Sequence, residues 1–168
     1  GKTDSAGNFV IELPADLGDA LQSQRWSINA TIQSSTNQFV NEGTSVIVHR
    51  GAFYIGISPQ SYVVQRGESS TIDLVTIDPK GKAVADVTID ATVYEFNWNS
   101  VYERTADSSY MWNSSVERAP IFSTTVTSDG DGLAHFDWTP AKGGQYQIVA
   151  QAKDSQENAI SSAGYQWI

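Results

Sequence analysis

The stretch VTIDATVYEFNW (Val87–Trp98) alternates apolar and polar residues along nearly its whole length. This period of two, carried by β-branched and aromatic residues, is typical of an antiparallel strand with one buried face. The same period occurs in Thr71–Ile77, Leu133–Trp138 and Tyr146–Ala152, whereas helical periodicity is weak. The sequence therefore predicts an all-β chain.

Turn signals separate these runs. Asp78–Gly81, Ser128–Gly132 and Thr139–Gly144 are rich in Pro, Gly and Asp, which favour specific turn angles. Short strands spaced by such turns predict an antiparallel β-sandwich of the immunoglobulin or fibronectin-III-like type. The predicted strands lie near 8–13, 25–33, 44–50, 53–57, 61–65, 69–78, 87–98, 109–113, 118–127, 133–138, 145–153 and 161–168.

The start of the chain repeats the pattern of its end. Asp-x-x-Gly followed by alternating apolar residues occurs at Asp4–Leu13 and again at Asp129–Trp138. A strand, a polar turn and a closing strand then follow in both copies, with Trp26–Ile32 matching Tyr146–Ala152. Only the second copy has further strand pattern before it. We therefore expect residues 1–50 to be the C-terminal part, about three strands, of an incomplete sandwich, and 51–168 to be a complete one. The chain is then an excerpt from a longer array.

Composition excludes several classes of function. The net charge is −9 and the isoelectric point about 4.4, which disfavours binding to nucleic acid or to an anionic membrane. No apolar run approaches the ~20 residues of a membrane span, so we expect no membrane insertion by this segment. The absence of cysteine excludes disulfides, thiolate metal sites and a thioester within this piece.

Neither a metal site nor a catalytic site is predicted. Asp129-Gly-Asp131-Gly132 resembles half of a calcium loop, but the twelfth position of that pattern is Pro140 rather than Glu. A hairpin turn is the better interpretation. The two histidines, His49 and His135, have no triad or metal-ligand partner nearby in sequence, and no Gly-x-Ser-x-Gly occurs. We predict no catalytic residues, no cofactor and no metal.

Aromatic residues are densest between positions 94 and 112. Alternation places Tyr94, Phe96 and Trp98 on one face of a strand, which we interpret as the core face. Tyr102, Tyr110 and Trp112 lie in or beside the polar segment 99–109, predicted to be a loop, and are candidates for an interface. They would anchor a partner or stack on a sugar.

An ordered set of segments resembles the macroglobulin domains of bacterial α2-macroglobulins. The segments are Val46–Arg50, Phe53–Ile57, Thr76–Val84, Tyr94–Trp98, Tyr110–Trp112, Gly143–Asp154 and Tyr165–Ile168. The resemblance places the chain just before the bait-region domain of such a protein.

The resemblance implies a non-catalytic structural module of a broad-spectrum protease trap. Its partners would be the neighbouring macroglobulin and bait-region domains of the same parent chain, and it would meet target proteases only through the full-length protein. Neither a bait segment nor the family's Cys-Gly-Glu-Gln thioester can be placed in this sequence. The implied location is extracytoplasmic, in the periplasm or at the bacterial surface, with a membrane-anchored parent.

Two alternatives stay open at this stage. The chain could be an immunoglobulin-like module of a surface adhesin or carbohydrate-binding protein, or an accessory domain of a secreted enzyme. Flanking sequence would separate them, because a bait segment indicates the inhibitor and a string of near-identical modules indicates the adhesin.

Overall fold

The computed structural model describes residues 1–18, 20, 22–104 and 109–168. It divides into two compact units, Gly1–Arg50 and Gly51–Ile168. The described residues form strands and turns and contain no helix, which confirms the all-β prediction. Accordingly, the described chain has no helix with the length and apolar character to span a membrane.

Nine strands make up the fold. They are β1 (Gln24–Gln33), β2 (Phe39–Val48), β3 (Tyr54–Pro59), β4 (Ser70–Ile77), β5 (Thr88–Arg104), β6 (Tyr110–Thr127), β7 (Leu133–Trp138), β8 (Gln145–Lys153) and β9 (Ala159–Trp167).

The second unit is a sandwich of two antiparallel sheets. One sheet has the order β3-β4-β7 and the other β6-β5-β8-β9. Alternate residues of β4, β5 and β8 point between the sheets, so Leu74, Val93 and Ile148 are at most 1% exposed. Burying each such side chain contributes about 1.5–3 kcal/mol. The core cluster is Phe53, Ile55, Ile72, Leu74, Val87, Ile89, Ala91, Val93, Phe136, Trp138, Tyr146, Ile148, Ala150 and Ile160.

Two strand predictions for this unit are corrected. Residues 61–65 form no strand, since only Val63 makes an isolated bridge, to Trp167. The predicted strands 109–113 and 118–127 are one strand, β6, and β5 continues to Arg104. The predicted loop 99–109 is therefore strand from 99 to 104, and its positions 105–108 lie outside the described residues.

The first unit contains a single hairpin, β1 paired with β2. The predicted strand at 8–13 is absent, although the turn before it forms as in the later copy. In the second unit the matching strand, β7, pairs with β4, and the described part of the first unit has no strand corresponding to β4. Without a neighbour to complete its backbone hydrogen bonds, the segment does not become a strand.

The turns show the internal repeat in atomic detail. Ser34 and Asp154 begin the β1–β2 and β8–β9 turns, and each backbone N–H donates to the carbonyl four residues later, at 2.9 and 3.1 Å. In both turns a side-chain oxygen of the first residue, Ser34 Oγ or Asp154 Oδ1, accepts hydrogen bonds from the backbone N–H groups two and four positions later. Asp4 and Asp129 build a matching pair of turns with the same pattern.

Candidate functional site

The β5–β6 hairpin extends beyond the sheet that it belongs to. β5 pairs with β8 only from Asp90 to Phe96, and the rest of its length pairs with β6 alone among the described strands. We call this two-stranded part, Asn97–Arg104 with Tyr110–Glu117, the ribbon. It presents both faces to solvent, since all its side chains are exposed.

One face of the ribbon is aromatic. Residues directly opposite each other in an antiparallel pair share a face, so the pairs Tyr102–Trp112 and Trp98–Val116 lie on the same side as Tyr110. We call these five residues the aromatic face. The Tyr102 ring lies 5.0 Å from that of Trp112 and 5.2 Å from that of Tyr110, stacked on the latter.

The structure thus places the three residues singled out from the sequence in one cluster. Tyr102 and Tyr110 are each 56% exposed and Trp112 is 66% exposed. Exposed aromatic side chains grouped in this way are typical of interaction surfaces. Their role in an interface remains a prediction.

The prediction that Tyr94, Phe96 and Trp98 form core is wrong. Ile89 and Val93 of the same strand are fully buried between the sheets, so alternation turns the aromatic residues to the outer face. Tyr94 and Phe96 are half-buried there, and Trp98 is 66% exposed. Both faces of β5 carry apolar side chains, so the alternation of the sequence alone could not identify which face is buried.

A hydrogen-bonded group supports the base of the ribbon on this outer face. Arg118 Nη1 donates to Gln147 Oε1 at 3.1 Å, and Gln147 Nε2 donates to the Tyr165 hydroxyl at 2.9 Å. The Tyr165 ring meets Phe96 edge-on at 5.7 Å. Gln147 is only 7% exposed, so its amide orients its neighbours. A glutamine within the alternating run Tyr146–Ala152 was the only sequence signal for this group.

Positive and negative side chains lie on opposite faces of the ribbon and its base. The strand register places Arg104 and Arg118 on the same side as the aromatic face. It places Glu103 and Glu117 on the opposite face. In a chain of net charge −9, the aromatic face is therefore locally cationic. Arginine beside aromatic rings is the combination enriched in interface hot spots.

The acidic turns act as backbone caps. The hairpin interpretation of Asp129–Gly132 is confirmed, since Asp129 Oδ1 accepts N–H groups of Asp131 and Leu133 at 2.9 Å. Hydrogen bonds from Asn8 and from Lys82 N–H, respectively, lower the pKa values of Asp4 and Asp78. Within the described ranges, no group of three or more His, Cys, Asp or Glu side chains is placed to hold a metal ion.

A groove of about 810 Å³ lies at one end of the second unit. Its wall includes Asp86, Asp90, Lys153 and Asp154. Asp154 is committed to structure, because its two carboxylate oxygens accept hydrogen bonds from the backbone of Ala52 and from its own turn. The groove therefore offers charged and hydroxyl side chains, of which the Asp154 carboxylate is already occupied by these hydrogen bonds.

Similarity to known proteins agrees with this architecture. The family model of bacterial macroglobulin domain 6 matches residues 56–167. No curated protein sequence matches the chain. The native conformation of E. coli α2-macroglobulin is similar with a TM-score of 0.63 at 14% identity, covering 89% of this chain and 10% of that one. Salmonella α2-macroglobulin reacted with methylamine gives a TM-score of 0.61 at 13% identity, covering 89% and 10%.

These structural likenesses show a shared fold, and the chain spans about a tenth of the length of the two solved proteins. The family match extends over most of the sequence and confirms the resemblance drawn from its segments. The chain belongs to the family of bacterial macroglobulin domain 6.

Proposed function

We propose that this chain is a non-catalytic structural module of a bacterial α2-macroglobulin-like protease inhibitor. The observation that carries the proposal is the sandwich of residues 51–168, which matches the family model and shares its fold with proteins of that description. One of the solved relatives is E. coli α2-macroglobulin activated by porcine elastase.

The sandwich is suited to a supporting role. Its core residues are nearly fully buried, and its polar core atoms are hydrogen-bonded. Gln166 Nε2 donates to the Ser61 carbonyl at 2.7 Å and to Ser70 Oγ at 2.6 Å. Close packing makes such a unit stiff. In this proposal the module transmits the rearrangement that captures a protease, while bait cleavage occurs in another part of the parent protein.

We further propose that residues 1–50 are the C-terminal part of a preceding module. The side chains of Trp26, Ile28 and Ala30 correspond in the repeat to Tyr146, Ile148 and Ala150. The latter three are at most 2% exposed, whereas Trp26 and Ile28 are half-buried and Ala30 is exposed. The missing element is the opposing sheet, which the parent chain would supply. The neighbouring macroglobulin and bait-region domains would then be the partners, in an extracytoplasmic protein.

The experiment uses the parent protein that contains this chain. After incubation with a serine protease, a trap leaves the bound protease active on a small chromogenic peptide and shields it from a large protein substrate. Ile148→Asp in the module should abolish shielding, because it places a charge in the core. Gln151→Lys, which places a charge at an exposed position of the same strand opposite Asp90, should retain it. A parent protein that never shields protease would overturn the proposal.

A further inference from the structure

The outer face of the four-stranded sheet carries a group of large planar side chains at the base of the ribbon. In register across β9, β8, β5 and β6, one row consists of Trp167, Gln145, Phe96 and Arg118. Trp98 lies on the same face, two residues beyond Phe96. We call these five residues the platform. From the spacing of strands and of alternate residues, it covers roughly 14 by 7 Å.

The platform is open to solvent, yet several of its side chains are held in place. Trp98 is 66% exposed and Trp167 is 43% exposed. The indole Nε1 of Trp167 donates to the Tyr62 hydroxyl at 3.0 Å. The nearly buried Gln147 accepts the hydrogen bond of the Arg118 guanidinium at 3.1 Å. Side chains that are already fixed lose little freedom when a ligand binds, which favours a binding surface.

The indole of Trp98 is more accessible than the rings further along the ribbon. Tyr102 packs against both Tyr110 and Trp112, at 5.2 and 5.0 Å between ring centroids, so these rings partly cover one another. Trp98 lies opposite Val116, and its indole is left open for a ligand. The base of the ribbon is therefore a better stacking surface than its outer part.

Gln145 adds a free polar group between the aromatic rings. It lies between Trp167 and Phe96 in the row and is half-buried. Within the part of the chain that the structure describes, its side-chain amide has no hydrogen-bond partner. An amide offers two donors and an acceptor, so Gln145 can bind neighbouring hydroxyl groups of a ligand that rests on the rings.

The charge around the platform is positive, although the chain has a net charge of −9. On the outer face, β5 from Thr92 to Arg104 and the described residues opposite it on β6, β8 and β9 include no Asp or Glu. The charged side chains of this area are Arg104 and Arg118. The surface is therefore complementary to a ligand that carries carboxylates, because arginine pairs with them in a bidentate geometry.

These features together fit a sugar better than a peptide. Binding sites for small ligands combine aromatic surface with a few placed polar groups, and a sugar ring has one face of C–H groups and an edge of hydroxyl groups. The C–H face suits the open indoles and the hydroxyl edge suits Gln145. An acidic peptide segment would pair with Arg118, but its carboxylate side chains bring no flat apolar surface for the indoles.

We propose that the platform binds an acidic polysaccharide, a chain of sugars that carry carboxylates. The sugar rings stack on Trp98 and Trp167, Gln145 binds their hydroxyl groups, and Arg118 pairs with a carboxylate. An open surface contacts only one side of the ligand, so we expect a Kd of roughly 10 µM to 1 mM. This binding is independent of protease capture, and its test does not require the parent protein to be a trap.

The probe is a trisaccharide of β-1,4-linked mannuronic acid, and its methyl ester is the uncharged counterpart. Titrations of the full chain followed by NMR should give at least about tenfold tighter binding of the acid than of the ester. Trp98→Ala should weaken binding of the acid by about tenfold or more. Trp112→Ala removes an indole of the same 66% exposure from the outer ribbon and should stay within about threefold of wild type.

A second pair of variants tests the charge. Arg118→Gln should abolish the preference for the acid over the ester. Lys80→Gln removes the same charge from an exposed position in the β4–β5 turn and should leave the preference intact.

Four results would overturn the proposal. The first is that neither trisaccharide binds at millimolar concentration. The second is that acid and ester bind equally, which indicates a site for neutral sugars. The third is that Trp112→Ala abolishes binding and Trp98→Ala does not, which places the site on the outer ribbon. The fourth is that hexaglutamate binds as tightly as the acid and with the same dependence on Trp98, which indicates a site for acidic peptides.

Discussion

The indole Nε1 of Trp138 donates a hydrogen bond to Oε1 of Gln166 at 3.2 Å, and the two side chains are 3% and 0% exposed. Trp138 belongs to the three-stranded sheet and Gln166 to the four-stranded sheet. The amide nitrogen of Gln166 also reaches Ser70 and Ser61. One side chain therefore joins the two layers through Trp138 and Ser70, and also bonds to the segment between β3 and β4.

Replacing Gln166 should be among the most damaging polar substitutions in this chain. Gln166→Leu removes the partner of two buried groups, the Trp138 indole N–H and the Ser70 hydroxyl, at a cost of about 2–4 kcal/mol in the free energy of unfolding. Gln151→Leu, at an exposed position, should change it by less than about 0.5 kcal/mol. Urea denaturation followed by tryptophan fluorescence measures both. Equal losses of unfolding free energy in the two variants would show that the buried amide of Gln166 contributes no more to stability than the exposed amide of Gln151.

Equivalent isoleucines of the repeat should respond differently to truncation. Ile148 is fully buried, so Ile148→Ala should lower the stability of its unit by about 2–5 kcal/mol. Ile28 is half-buried, and Ile28→Ala should cost about 1 kcal/mol or less. Native-state hydrogen exchange, followed in β8 and in β1, separates the two units. A large loss from Ile28→Ala would mean that the first unit has a closed core.

The β8–β9 turn should make the second unit acid-sensitive. Burial raises the pKa of Asp154, but hydrogen bonds from the Asn158 side chain and the Ala52 N–H outweigh it and hold that pKa below its ordinary value of 3.8. A lowered pKa in the folded state gives stability that is complete above the unfolded value and is lost as pH falls through the folded value. Asp154→Asn should therefore flatten the decline in unfolding free energy below about pH 4. Ser155→Ala, an exposed change in the same turn, should leave that decline in place.

Calcium should have little effect on the melting temperature. The Asp129 carboxylate already accepts two backbone N–H groups, and its turn is complete without an ion. A metal bound to the folded state at 100 times its Kd would add about 2.7 kcal/mol, a shift of several degrees. Calorimetry with millimolar calcium and with a chelator makes the comparison. A rise of that size, removed by Asp129→Asn, would contradict the assignment of this turn.

The isolated chain should neither cleave peptides nor inhibit a general protease. The sequence contains no Gly-x-Ser-x-Gly and no cysteine for a thioester, and the proposed function assigns bait cleavage to another part of the parent. Titration of trypsin and elastase with the purified chain, followed with a chromogenic substrate, provides the measurement. Stoichiometric inhibition by this piece alone would contradict the proposed division of roles.

The sequence predicted what depends on local alternation and turn chemistry. β4, β7 and β8 were found close to their observed bounds, because each buries one face and ends at a Gly, Pro or Asp turn. The Asp129 turn was found for the same reason.

The errors arose where the formation or orientation of a strand depends on residues far away in the sequence. Residues 8–13 have the pattern of β7, but a strand also needs a neighbour with which to pair, and pattern does not supply one. The part of the ribbon from 99 to 104 was mistaken for a loop because its side chains are exposed on both faces, which removes the burial that alternation reports. The inner face of β5 was misassigned because Val93 and Tyr94 are both apolar, and only the opposing sheet decides between them.

The uninterrupted course of β5 from Thr88 to Arg104 has a mechanical consequence. Its first part is bonded on both sides, to β6 and β8, and its last part is the projecting ribbon. A pull along the ribbon would draw β5 and β6 in the same direction and would load the β5–β8 ladder in shear, because its hydrogen bonds run perpendicular to the strand. Tension along the ribbon is thus transmitted to the β5–β8 pairing at the centre of the four-stranded sheet.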